Sequence, residues 1–223
     1  MTTKLFAQAI TKYLLGVIAV GLLIFLPAGA LTYYNGWLLM GILFIPMFFA
    51  GIIMMYKNPE LLKRRLNARE KLQEQGLVIK LSGLMFAAGF AVAGFGFRFK
   101  WYTLSKPAVI IASIIFLVSY LLYAEVLREN TYLSRTIEVQ DGQKVIETGM
   151  YGIVRHPMYS ITVLMFLSMP LVLGSLYALL IFLFYPFIIV RRIQSEEAFL
   201  EKELVGYSEY KKKVKYRLIP FVW

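Results

Sequence analysis

The chain has 223 residues, of which 59% are hydrophobic and 16% aromatic, and its mean hydropathy is +0.66. These values lie outside the range of soluble globular proteins, so we expect a polytopic membrane protein. The net charge of +11 comes from basic residues beside apolar segments, which favours contact with anionic lipid headgroups over nucleic-acid binding. With no cysteine and one histidine, the chain is not expected to hold a metal through its side chains.

Four apolar segments in the first 130 residues predict transmembrane helices. Each has about twenty residues, enough to cross the hydrocarbon core of a bilayer. They run from 13 to 32, from 37 to 56, from 77 to 97 and from 108 to 127. The alternative for the first segment is a signal peptide, because basic residues precede it and its end is similar to a cleavage site. Asn35-Gly36 predicts a tight turn between the first two helices.

The charged segment from 57 to 75 separates the second and third predicted helices. Leu61, Leu62 and Leu66 recur in it at near-helical spacing, which predicts a short amphipathic helix at the membrane surface. Such a helix is either a lipid-facing connector or a lid over a functional site. The third predicted span carries four glycines that allow close helix approach: Gly83, Gly89, Gly94 and Gly96.

A long polar stretch, residues 131–150, follows the fourth predicted span. Asp141-Gly142 indicates a turn between two short β-like runs, so we expect a small hairpin or an extended loop. The next stretch, 149–159, contains the only histidine of the chain. Pro157 suits the first turn of a helix that begins near His156, because that position needs no backbone donor.

The apolar run from 160 to 190 is too long for one ordinary span and short for two. Met169-Pro170 and Gly174-Ser175 predict a break near its middle, and a bent helix pair would return both polar ends to the same side of the membrane. That topology puts all but three of the 24 lysine and arginine residues on one side. The larger group is then cytosolic by the positive-inside rule. The three residues opposite are Arg98, Lys100 and Lys106.

We therefore predict an all-α polytopic membrane protein with four transmembrane helices, a C-terminal helical hairpin in the membrane over 160–190, and a pocket that faces the cytosol. Residues 1–130 hold the four spans, and residues 131–223 form a second region that ends in an amphipathic tail from Arg191. Arg192 and Glu196 share a helix face, and the hairpin brings them near Arg155, His156 and Tyr159. The residues alone also allow a simple interfacial belt of arginine and tyrosine with a helix-stabilising Arg192–Glu196 pair.

The motif Gly149-x-Tyr151-x-x-x-Arg155-His156-Pro157-x-Tyr159, followed by Arg192-x-x-x-Glu196-Glu197 and Tyr207-x-x-Tyr210, resembles the isoprenylcysteine carboxyl methyltransferase and phospholipid methyltransferase family. The resemblance covers roughly residues 130–220. It implies an integral membrane enzyme that transfers the methyl group of S-adenosylmethionine, taken from the cytosol, to a lipophilic acceptor from the bilayer. Two positions differ: Ile161 replaces a frequent glycine, and Leu204-Val205-Gly206-Tyr207 is one residue shorter than the usual Phe-Gly-x-x-Tyr.

By position, the resemblance implies a set of cofactor contacts: Gln143, Lys144, Val145, Ile146, Tyr151, His156, Pro157, Met158, Tyr159 and Glu196. Arg192 would face the acceptor, and Arg155, Arg192 and Glu196 are the candidate catalytic residues. Methyl transfer from a sulfonium needs alignment and desolvation more than a metal or acid–base groups. An anionic acceptor needs no base, whereas an amine would need one from Glu196 or Glu197.

Two other functions are compatible with the sequence. One is an NADPH-dependent membrane reductase of the sterol reductase type, whose C-terminal region is similar to that of this family. The basic run 211–217 would then supply cations for the 2′-phosphate. The other is a non-catalytic protein that binds or transports lipid. The expected partners are membrane lipids and a lipophilic or lipid substrate, without nucleic acid or metal.

Overall fold

The computed structural model describes residues 3–67, 73–134 and 136–223. Positions 68–72 of the predicted surface segment, and Arg135, lie outside the described residues. Five helices form the first part of the chain: α1 (Thr3–Ala28), α2 (Tyr34–Lys57), α3 (Pro59–Leu66), α4 (Gln73–Arg98) and α5 (Lys106–Glu129). By length and composition, α1, α2, α4 and α5 can each cross a membrane, which confirms the four predicted spans.

The connection between α1 and α2 differs from the predicted turn. Asn35 and Gly36 lie inside the first turn of α2, and the chain reverses just before them, after Gly29, which has a φ of +65°. A Cβ on Gly36 would lie 3.0 Å from Cγ2 of Ile24. The glycine therefore allows close approach of α2 to α1 rather than forming the turn.

The second part of the chain begins with an extended loop. No β-strand occurs in the described residues there, and the Gln143 amide donates to the Gln140 carbonyl at 2.9 Å to close the turn around Asp141-Gly142. A short 3-10 helix, Gly149–Gly152, precedes the last four helices. These are α6 (Pro157–Val172), α7 (Leu176–Phe182), α8 (Tyr185–Glu203) and α9 (Tyr207–Lys213).

The predicted helical hairpin is confirmed, with its bend at Gly174 and Ser175. Gly174 has a φ of +75°, and the Ser175 side chain caps α7 by accepting from the Ala178 amide at 3.2 Å. Pro170 does not break the chain, because α6 continues through it to Val172. The returning arm, α7 and α8, forms a fifth segment long and apolar enough to span a membrane. The predicted tail starts inside α8, since Arg191 lies in the middle of that helix.

Helix α4 packs against α1, α7 and α8, and α5 packs against α6. Two glycines of α4 make this packing possible: a Cβ on Gly94 would lie 2.5 Å from the Ile24 carbonyl oxygen, and one on Gly89 would lie 2.3 Å from Cε2 of Phe182. Large apolar side chains cover the outer faces, such as Leu26 at 68% and Leu121 at 72% exposure. An apolar exterior of this kind is suited to contact with lipid tails.

Candidate functional site

A cavity lies between the loop after α5, the start of α6, the end of α8 and α9. Eleven predicted site residues line it: Gln143, Lys144, Val145, Ile146, Tyr151, Arg155, His156, Met158, Tyr159, Arg192 and Glu196. Pro157 is the exception, because it is fully buried at the first position of α6. The hairpin thus brings the two distant parts of the motif together, while the roles of these residues stay predictions.

The Glu197 carboxylate is the centre of a buried ionic cluster. Its Oε1 atom accepts from Arg155 Nε at 2.7 Å and lies 3.2 Å from His156 Nε2, and its Oε2 atom accepts from Arg217 Nε at 2.9 Å. Glu197 is 3% exposed and Arg155 is 7% exposed. A buried carboxylate is tolerated only when paired and hydrogen-bonded, as it is here. The cluster therefore holds the start of α6 against the end of α8.

The segment from 214 to 218 attaches to the same cluster through its backbone. The Arg155 side chain donates to the carbonyls of Val214 and Lys215 at 2.7 and 2.8 Å. The Arg155 and His156 amides donate to the next two carbonyls, those of Tyr216 and Arg217, each at 2.9 Å. The Arg155 guanidinium thus pairs with a carboxylate and donates to two backbone carbonyls at the same time, which explains why the fold needs a guanidinium at this position.

Glu196, the neighbour of Glu197, has a different environment. Its side chain lines the cavity and accepts from the Tyr159 hydroxyl at 2.5 Å. The same hydroxyl accepts from Arg192 Nε at 2.8 Å, and the Arg192 guanidinium lies 5.9 Å from the centre of the Tyr159 ring. Tyr159 therefore connects a negative and a positive side chain on the wall of one cavity.

Three tyrosines complete the cavity wall near α9. Tyr210 donates to the Tyr151 carbonyl at 2.7 Å, and Asn130 donates to the Tyr151 hydroxyl at 3.1 Å. The Tyr207 hydroxyl is buried and has no hydrogen-bond partner among the described residues. Burial raises the pKa of Tyr207, and the nearby charges of Glu197 and Glu196 raise it further. The hydroxyl therefore stays protonated and can donate to a ligand.

The sequence did not identify every residue of the cavity wall. The missed residues are Asn130, Tyr132, Leu133, Ser134, Thr136, Ile137, Glu138, Leu200, Leu204, Tyr207 and Tyr210. Leu200 lies four residues after Glu196 on α8, so helical spacing was a signal that could have found it. The extended loop has no such periodicity. Tyr207 and Tyr210 stand in the motif, and both are buried beside Leu204 despite the shorter spacing in this chain.

Comparison with known proteins gives a family match for part of the chain. Residues 103–205 match the family described as Phospholipid methyltransferase, slightly less than half of the chain. The match runs from just before α5 to just after α8, and it confirms the resemblance that the motif indicated. It supports a membrane methyltransferase.

A second match is to Delta(14)-sterol reductase TM7SF2 of Mus musculus. This chain is 34% identical to it over 91 residues, which is 40% of this chain and 22% of the mouse protein. The chain therefore spans only about a fifth of the length of this relative.

Proposed function

We propose that the protein transfers the methyl group of S-adenosylmethionine to a lipophilic acceptor that reaches the cavity from the bilayer. The observation that carries this proposal is the Glu196–Tyr159–Arg192 connection on the cavity wall, within the segment that matches the methyltransferase family. It presents an anionic and a cationic group to one cavity beside the membrane helices.

The residues of the cavity fit the chemical groups of S-adenosylmethionine. The Glu196 carboxylate can accept hydrogen bonds from ribose hydroxyls or from the methionyl amine. The Tyr207 hydroxyl offers a donor that the described protein leaves unused. Apolar side chains suited to an adenine ring also line the cavity, among them Val145, Met158 and Leu200. When bound, S-adenosylmethionine supplies a methyl group on a positively charged sulfur.

The chain contributes alignment and charge. Glu196 places a negative charge where a cationic ligand would bind, and the Tyr159 hydrogen bond fixes its orientation. Arg192 can orient an acceptor that carries a carboxylate or phosphate. For an amine acceptor, Glu196 is the better candidate base, because both oxygens of Glu197 already accept from arginine side chains.

We also propose that the cavity faces the cytosol. The hairpin bend lies next to the α4–α5 connection, where the Leu104 amide donates to the Gly174 carbonyl at 3.0 Å. That connection and the helix ends beside it carry the three basic residues of the less charged side, Arg98, Lys100 and Lys106. The cavity is at the other end of the hairpin, together with the larger basic group. The positive-inside rule supports a cytosolic position for that end.

The sterol reductase match favours a second candidate, an NADPH-dependent reductase. A 2′-phosphate would need cations at the cavity. The structure gives little support for the basic run 211–217 in this role, because Lys211 pairs with Glu201 and Lys213 pairs with Glu147. Arg217 is bound to Glu197, and in the described part of the chain no residue of this run lines the cavity.

Isothermal titration of the detergent-purified protein with S-adenosylhomocysteine and, separately, with NADPH tests the proposal. We expect saturable binding of S-adenosylhomocysteine. Replacing Glu196 with glutamine removes a charged acceptor, which should weaken binding roughly tenfold or more. Glu203→Gln is the matched control, because Glu203 is exposed at the end of the same helix and should leave binding unchanged.

The alternatives give different results in this titration. A protein that binds NADPH but not S-adenosylhomocysteine would favour the reductase. Binding of neither ligand by folded protein would favour a lipid-binding or transport protein without catalysis.

A further inference from the structure

Two arginines of α3 reach towards the loop that lines the cavity. Arg64 Nη1 donates to the side-chain oxygen of Gln140, and Arg65 Nη1 donates to the Ser134 carbonyl at 3.3 Å. Both side chains are partly buried. A basic side chain on a membrane-surface helix would ordinarily extend towards lipid headgroups. The inward direction of these two side chains therefore points to a role within the protein.

Arg65 connects three elements. Besides its bond to the loop, its Nη2 atom donates to the hydroxyl of Tyr123 on α5, and its guanidinium lies 5.6 Å from the centre of that ring. Tyr123 in turn packs against the buried cluster that contains Val126 and Tyr151, and Tyr151 lines the cavity. The position of the loop is thus tied to the position of α5 through one side chain.

Arg64 acts on the turn of the loop. Its partner Gln140 donates through Nε2 to the Tyr132 carbonyl at 2.7 Å, and the Gln140 amide donates to the Gln143 side chain at 3.0 Å. Tyr132 and Gln143 both line the cavity. A single residue, Gln140, therefore separates Arg64 from two residues of the cavity wall.

Helix α3 is itself held firmly enough to serve as an anchor. Leu61 and Leu62 are each 4% exposed, and the Asn58 side chain caps the helix by accepting from the Leu61 amide at 3.0 Å. At the other end, Lys12 of α1 donates to the Leu66 carbonyl. A cation at this end also interacts favourably with the helix dipole.

The loop needs such contacts because it has no regular secondary structure among the described residues between α5 and the 3-10 helix. Ordering each of its residues costs conformational entropy, which these contacts must offset. Neither arginine forms an ion pair with a carboxylate of the described residues, and the hydrogen bonds given above, from Arg64 Nη1 and from both Arg65 Nη atoms, go to neutral acceptors of the loop and of α5.

We propose that Arg64 and Arg65 are positioning residues that hold the loop from 130 to 146 in the conformation that binds the cofactor. The identity of that cofactor rests on the proposed function. Loss of either arginine would lower the fraction of protein with an ordered loop, and the apparent ligand affinity would fall in proportion. Neither residue lines the cavity in the described structure, so the effect is indirect.

Hydrogen exchange of the ligand-free, detergent-purified protein tests the proposal without reference to any ligand. Arg65→Gln and Arg64→Gln should speed exchange of peptides from 130 to 146 roughly tenfold, the change expected when one charge-assisted hydrogen bond is lost. Peptides of α1 and α2 should be unchanged. The matched control is Lys63→Gln, because Lys63 is exposed on the same helix. Gln140→Ala leaves α3 unaltered but removes both the acceptor of Arg64 and the donor to the Tyr132 carbonyl, so it should speed exchange at least as much as Arg64→Gln.

A titration of the same variants with S-adenosylhomocysteine separates this proposal from the proposed function. We expect weaker binding in both glutamine variants and partial recovery in Arg65→Lys, which keeps the charge but not both donors. Unchanged loop exchange in Arg64→Gln and Arg65→Gln would overturn the positioning role. The two results can also differ. If the arginine variants show faster loop exchange but the wild-type protein does not bind S-adenosylhomocysteine, the positioning role is supported and the methyltransferase is contradicted.

Discussion

Glu196 and Glu197 are adjacent on α8 but have separate surroundings. Glu197 is buried and accepts from Arg155 and Arg217, whereas Glu196 lines the cavity and accepts from Tyr159. One step along a helix turns the side-chain direction by about 100°, so neighbours can face different environments. We interpret Glu197 as the structural carboxylate of the site and Glu196 as the one available to a ligand.

Glu197→Gln should strongly destabilise the protein. The change leaves Arg155 buried without its counter-charge, which typically costs about 3–5 kcal/mol. Thermal unfolding in detergent would measure this loss. Glu196→Gln is the matched comparison, and we expect it to change the free energy of unfolding by less than about 1 kcal/mol. Similar stability of the two variants would contradict the assignment.

Arg155→Lys should release the segment from 214 to 218. A lysine ammonium cannot reproduce the simultaneous contacts of the guanidinium with Glu197 and with the two carbonyls. Limited digestion with trypsin should then cleave faster after Lys213 and Lys215. The exposed Arg191, changed to lysine, provides a control that should digest as the wild type does. Equal digestion of both variants would show that Arg155 does not hold this segment.

Tyr207→Phe should weaken cofactor binding without lowering stability. The buried hydroxyl has no partner among the described residues, so its removal leaves the ligand-free protein as stable or slightly more stable. A ligand that accepts from it should bind about fivefold to tenfold more weakly to the variant.

Tyr210→Phe is the matched comparison for this prediction. That change removes the hydrogen bond to the Tyr151 carbonyl at 2.7 Å and should destabilise the protein by about 1 kcal/mol. Titration with S-adenosylhomocysteine would measure the binding affinity of each variant, and thermal unfolding would measure its stability. A loss of stability in Tyr207→Phe equal to that in Tyr210→Phe would contradict the prediction.

Gly89→Ala should disrupt the packing of α4 against the hairpin. The added Cβ would lie 2.3 Å from the Phe182 ring, which is fully buried and cannot move without a wider rearrangement. Overpacking of this kind typically costs about 1–3 kcal/mol. Gly83→Ala is the control on the same helix, because no atom lies within 4 Å of its added Cβ. Equal stability of the two variants would show that α4 does not approach the hairpin closely at Gly89.

The sequence was sufficient to predict the spans and the hairpin because both depend on long-range composition. Apolar length and the distribution of lysine and arginine are properties of whole segments, so small errors in their ends matter little. The Asn35-Gly36 turn was wrong for the opposite reason. That prediction depended on the preference of the Asn-Gly dipeptide for turns. Gly36 in fact allows close contact with Ile24, which is a tertiary contact that a dipeptide preference cannot predict.

The site was only partly predictable. The hairpin topology predicted that Arg192 and Glu196 lie near Arg155 and Tyr159, and the resemblance added their expected roles. The hydrogen bonds between these side chains were not predictable, because no local pattern contains them. The contacts of Arg64 and Arg65 with the loop were not predictable, because their basic character is equally typical of a helix at the lipid surface. The structure alone shows that they turn inward.

The most direct test of the account is transfer of radiolabelled methyl groups from S-adenosylmethionine to the organic-extractable fraction of membranes that contain the protein. We predict label in the lipid fraction with the wild type and with Glu203→Gln, and a loss of at least about tenfold with Glu196→Gln. Equal label with Glu196→Gln, or none above membranes without the protein, would contradict the proposed methyl transfer at this cavity.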